Sequence, residues 1–128
     1  MEDSHIICQD LKVSNRVKVS VFGVFDGHGG NMCSLFLKEK FIHDLRMKLV
    51  SSDLDRQENF YEYMDNLITD FFREIDLKFR RDHHDFSWRC GSTGVVVLIV
   101  GDRIICANLG DSRAILSRGG GCIELSVD

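Results

Sequence analysis

The hydrophobic period of this chain changes twice, and that change restricts the fold more than any other feature. Residues 5–13 (HIICQDLKV) and 17–25 (VKVSVFGVF) read as strands, the second more regular than the first. In the second strand Val17, Val19, Val21 and Gly23 share one face while Phe22 and Val24 lie on the other, so both faces are expected to be covered. Ser14 and Asn15 between the strands predict a hairpin. From 31 to 50 the period becomes helical, with Met32, Leu35, Phe36, Phe41, Ile42, Leu45 and Leu49 recurring on one side and Asn31 placed to cap the start. Ser51, Ser52 and Asp53 interrupt the pattern. A second helix is expected from about 57 to about 81, striped by Phe60, Met64, Leu67, Ile68, Phe71, Ile75 and Phe79. No proline breaks either segment, and a short loop between long helices makes them antiparallel neighbours.

The period then returns to two. Residues 93–100 form a valine-rich buried strand, Gly101-Asp102 a tight turn, and 103–109 the return strand. Gly110-Asp111 leads into a third strand at 112–118, and Gly119-Gly120-Gly121 into a fourth at 122–127, which together read as a meander. The order is strands, two helices, strands. That is an α+β class, with the helix pair packed on one face of antiparallel sheet.

A length of 128 residues suits one domain over 1–128, and 44% hydrophobic residues are enough to build a core. The net charge of −4, with no run of Lys or Arg, argues against a nucleic-acid partner. No apolar run approaches the ~18 residues of a membrane span, so no membrane partner is expected. The five cysteines include no C-x-x-C pair. They read as reduced, mostly buried thiols, which with no leader or lipidation signal suggests a cytoplasmic or nuclear location.

The chemistry concentrates at Asp26-Gly27-His28-Gly29-Gly30, where the apolar strand ends. A carboxylate at a strand tip is rigidly held yet exposed, and Gly27 leaves its carbonyl open to a cation. Hard cations such as Mg²⁺ and Mn²⁺ take such oxygen ligands and keep several waters. His28 adds a proton donor or acceptor beside them. Gly29 and Gly30 let the chain turn into the first helix. A dinucleotide-binding fingerprint does not fit, since its third glycine would fall on Met32 and no βαβ unit follows. Asp53-Leu54-Asp55 does not continue as a calcium loop, because Glu58 stands where glycine is required. Asp82-His83-His84-Asp85 reads as a solvated helix end, Arg80-Arg81 as a helix-end basic pair, and Trp88 as core.

VFGVFDGHGG, Met1-Glu2-Asp3, and Gly91-Ser92-Thr93 followed by Cys106-Ala107-Asn108-Leu109-Gly110-Asp111-Ser112-Arg113 resemble, in order, the motifs of the type 2C protein phosphatases, the Mg²⁺/Mn²⁺-dependent serine/threonine phosphatases. The resemblance covers essentially the whole chain. It implies part of an α-β-β-α sandwich and hydrolysis of phosphoserine and phosphothreonine proteins by a metal-activated water. By that resemblance Asp26 would bridge two metal ions, the Gly27 carbonyl would bind one, and Glu2 and Asp3 would complete the acidic cluster. His28 would be the general acid. Asp111 would belong to a third, weaker metal site, and Arg113 would order the turn around it. The H-C-x₅-R loop of a cysteine-nucleophile phosphatase is absent. Against the family's pattern the chain is expected to be truncated at both ends. It begins after a strand that carries a phosphate-gripping arginine and stops before two further metal-binding aspartates. Two readings follow: part of an active phosphatase, or a catalytically inactive interaction module. Exposed sheet edges and helix surface lead to the expectation of an oligomer or of pairing with a C-terminal half.

Overall fold

The computed structural model describes residues 1–128. Its elements run β1 (Asp3–Lys12), β2 (Lys18–His28), α1 (Met32–Val50), α2 (Phe60–Asp82), β3 (Gly91–Ser92), β4 (Gly94–Val100), β5 (Arg103–Leu109), β6 (Ile115–Arg118) and β7 (Gly121–Glu124). The main sheet is antiparallel in the order β1-β2-β4-β5, with β3 pairing on the far end of β2. The two long helices form one layer against it, so the class is α+β.

The alternating pattern decides which sheet face the helices cover. Val19, Val21 and Phe25 of β2, and Val96, Leu98 and Val100 of β4, point inward and are buried. They meet Phe36, Phe41, Leu45 and Leu49 of α1 and Met64, Leu67, Ile68, Phe71, Ile75 and Phe79 of α2 in one core. Aromatic rings interlock across the helix pair, with centroids 5.2 Å apart for Phe36–Phe79 and 5.1 Å for Phe41–Phe71. Lys48 and Glu74 pair at 2.6 Å, and Lys78 and Asp44 at 2.7 Å. Rising numbers on α1 meet falling numbers on α2, which establishes the antiparallel arrangement.

The structure departs from the sequence reading in ways that have local causes. The second face of β2 is open: Val24 is 48% exposed, as are Ile7 at 68% and Ile99 at 42% on its flanks, because the helices cover only one face. Asn31 makes no side-chain cap; its carbonyl instead accepts from the Leu35 N–H and the Ser34 hydroxyl. Residues 57–59 precede α2 rather than belonging to it, following a 3₁₀ turn at Leu54–Arg56. The four-strand meander breaks after β5. Gly110 takes φ +107°, residues 112–114 are irregular, and β6 with β7 forms a separate two-stranded sheet. Trp88 is 79% exposed, not core, since it lies in the turns beyond the apolar stripe of α2 and bonds only the Asp85 carbonyl. The cysteines are half-buried rather than buried, and Cys122 on the small β6–β7 hairpin is exposed.

These burial differences separate two substitutions. Leu45 is completely buried under the sheet, so Leu45→Ala should cost about 2–5 kcal/mol of unfolding free energy. Trp88→Ala should change it by less than about 0.5 kcal/mol. Urea unfolding measures both, and a Trp88 variant as damaging as the Leu45 variant would contradict the assignment of the core.

Candidate metal centre

The register of β1 on β2 pairs Asp3 with Asp26, Ser4 with Phe25 and His5 with Val24. Residues directly opposite in an antiparallel pair point to the same face. Asp3 and Asp26 therefore project side by side from the open face, at the end where β2 gives way to the glycine-rich loop. Their carboxyls are near enough for Asp3 to accept a proton held by Asp26.

Glu2 is fixed by two contacts. Its backbone carbonyl accepts from the buried Ser34 hydroxyl of α1 at 2.5 Å, and its carboxylate accepts from the Gly30 N–H at 2.9 Å. Gly27 is needed for a reason the sequence did not disclose: a Cβ there would stand 2.5 Å from the Glu2 carbonyl oxygen and 2.9 Å from the Ser34 hydroxyl. Its missing side chain makes room for the chain entering β1. Gly29, with φ +69°, presses against the Arg89 carbonyl, where a Cβ could not fit. The His28 ring lies over Gly91, its strand partner.

The opposite bank comes from the turn after β5. Asp26, His28, Thr93, Gly110, Asp111 and Asp128 line one open cleft of about 560 Å³. Asp128 was not singled out from the sequence. It arrives through Asn108, whose amide donates to the carbonyls of Gly110 (3.1 Å) and Val127 (2.8 Å). Only the placement of Asn108 on a strand beside the turn hinted at this. Arg113 does not brace Asp111; it reaches Glu124 (3.7 Å) and Asp128 (3.5 Å). At the far end of α2, His84 contacts Asp85 on the surface while His83 packs among Phe36, Phe79 and Phe86.

Electrostatically the centre is unbalanced. None of Glu2, Asp3, Asp26 and Asp111 takes part in an ion pair. A hydrogen bond that the protonated Asp26 carboxyl donates to Asp3, and repulsion by Asp3, then desolvation and repulsion by Asp111 and Glu2, hold the Asp26 carboxyl above its ordinary pKa. Oxygen donors gathered without a compensating cation are chemically suited to Mg²⁺ or Mn²⁺. The arrangement is open all the same, since no three His, Cys, Asp or Glu side chains stand close enough to form a closed ligand set.

A carboxyl whose pKa is raised by folding binds its proton more tightly in the folded state. Its contribution favours the fold at acid pH and is lost as pH rises through the folded-state value. Asp3→Asn removes the principal cause. It should raise the melting temperature near pH 7 in chelator and flatten the decline from acid to neutral pH. An unchanged melting temperature across that range would show that the two carboxylates do not repel in solution.

Comparisons with known proteins agree with this layout. The family model described as "Protein phosphatase 2C" matches residues 1–128. "Probable protein phosphatase 2C 59" of Arabidopsis thaliana is 36% identical over 110 residues, which is 86% of this chain and 32% of that protein. "Probable protein phosphatase 2C 13" of the same plant is 35% identical over 137 residues, covering all of this chain and 35% of that protein. The chain thus spans about a third of the length of these relatives. Among solved structures, a bacterial serine phosphatase carrying an arginine-to-glutamate substitution superposes with a TM-score of 0.65 at 20% identity over 99% of this chain and 54% of that one. A C. elegans sex determining protein gives 0.71 at 20% identity over 98% of this chain and 34% of that one. Both show the shared fold. With its motifs in order and its model match end to end, this chain belongs to the protein phosphatase 2C family.

Proposed function

We propose that this chain supplies one wall of the active site of a metal-dependent protein serine/threonine phosphatase. The observation that carries the reading is the Asp3–Asp26 pair: two like charges held in contact at the tip of a rigid sheet, with Glu2 and Asp111 nearby and no cation of the protein to offset them. Asp26 would hold both ions, Asp3 and Glu2 would act directly or through water, the Gly27 carbonyl would serve as a neutral oxygen donor, and Asp111 would take a third, weaker ion. Two bound Mg²⁺ or Mn²⁺ would neutralise the phosphate dianion and bring the pKa of a water toward neutrality.

The chain's own residues have the remaining tasks. The acidic cluster would hold the ions on the sheet side of the cleft, and the phosphate ester would bind against them. His28, seated over Gly91 and facing that cleft, donates a proton to the departing serine or threonine oxygen. No cysteine lines the cleft, in keeping with direct attack by water rather than by a thiol. The openness of the ligand set supports a second reading, a phosphatase-like module without activity of its own.

Hydrolysis of para-nitrophenyl phosphate by the intact protein separates the two. Mn²⁺-dependent turnover that falls at least about 100-fold in Asp26→Ala is the outcome expected of a metal-assisted hydrolase. Absence of Mn²⁺-dependent turnover in pure protein would leave the binding-module reading in its place.

A further inference from the structure

Thr93 stands between the two banks of the cleft. Its hydroxyl oxygen accepts from the Asp26 backbone N–H at 3.2 Å and lies 2.7 Å from the Ser112 hydroxyl. Its own N–H donates to the Asp26 carbonyl at 2.9 Å, so the main chain of Asp26 is bonded on both sides by one residue. Its methyl packs against Gly110 so closely that a Cβ on that glycine would stand 2.8 Å from it. Thr93 also sits in the one-residue gap between β3 and β4, where the ladder with β2 is interrupted. The β2–β4 ladder stops at Val24–Val95 and the β4–β5 ladder at Gly94–Leu109, so neither ladder includes Asp26 or Asp111 itself. The hydroxyl of Thr93 links the Asp26 main chain to Ser112, the neighbour of Asp111.

Resting on the metal-centre reading above, we infer that Thr93 is a positioning residue: its hydroxyl forks between the Asp26 amide and Ser112, and so sets the spacing of the Asp26 and Asp111 carboxylates for cation binding. It touches neither ion nor substrate in this role. Partners that orient metal ligands matter to affinity because a ligand free to swing must be ordered on binding. Valine keeps the methyl contact with Gly110 and removes only the hydroxyl, whereas serine keeps the hydroxyl and removes the methyl. The two substitutions therefore separate positioning from packing.

Three readouts on the intact protein test this: Mn²⁺ affinity by isothermal titration, hydrogen exchange of the Asp26 amide by NMR, and melting temperature. Thr93→Val should weaken Mn²⁺ by roughly 10–100-fold, the range for loss of a ligand-orienting partner, and should speed exchange at Asp26. Thr93→Ser should restore both, even if its melting temperature falls. Wild-type affinity and wild-type exchange in Thr93→Val overturn the proposal whatever happens to the melting temperature. If Thr93→Val does not fold, Ser112→Ala removes one tine of the fork, and unchanged Mn²⁺ affinity there overturns it equally. If the wild-type protein binds no Mn²⁺, the metal-centre reading fails. Positioning is then decided by exchange alone: faster at Asp26 in Thr93→Val than in Thr93→Ser supports it, and equal rates overturn it.

Discussion

The antiparallel pairing of β1 with β2 is the constraint on which the rest of the site depends. It sets Asp3 against Asp26, and it does so through eight paired positions interrupted by one irregularity between Cys8 and Leu11. A slip of one residue would turn Asp3 toward the helices and bring Ile6 out of the core. The register is therefore held by burial: Ile6, Val19, Val21 and Phe25 must face α1 and α2, and the carboxylates must then face away. Hydrophobic burial on one face of the sheet enforces charge crowding on the other.

The helices contribute to the site without facing it. Ser34 of α1 grips the Glu2 carbonyl through the back of the sheet, and Gly27 gives up its side chain to let that contact form. The glycine-rich loop closes against residues 89–92, which lie just after α2. Each wall of the centre is thus anchored to the core within a few residues of its acidic group. This permits like charges to stay together in the absence of a cation, at some cost in stability.

Much of this was legible in the sequence because the signals were local. The long stripe from Phe60 to Phe79 specified α2, the alternation from Val17 to Phe25 specified β2, and the tight run Asp26–Gly30 marked the strand tip. What was not legible depended on distant partners. Nothing near Trp88 says that its turn lies outside the helix stripe, and nothing near Val24 says that only one sheet face is covered. The capping role given to Asn31 failed because Ser34 and Leu35 take its carbonyl instead. Thr93 stood in a motif without a role and Asp128 was not singled out, because their importance lies in contacts with Asp26, Ser112 and Asn108 through space. The motif resemblance named the acidic residues but was silent on what holds them apart.

The crossover from β2 to β4 has a kinetic consequence. Val19 pairs with Val100 and Val24 with Val95, so about seventy residues, both long helices among them, must be threaded into place before the centre of the sheet closes. Such non-local pairings are slow to form, while the helix pair is built from contacts close in sequence. The acidic cluster draws on residues 2–3, 26–30, 91–93 and 110–112, almost the full span of the chain. It can exist only after the slowest loop has closed. An ion bound there would act as a clasp on the finished topology, sensing completion of the whole fold rather than the state of any one segment.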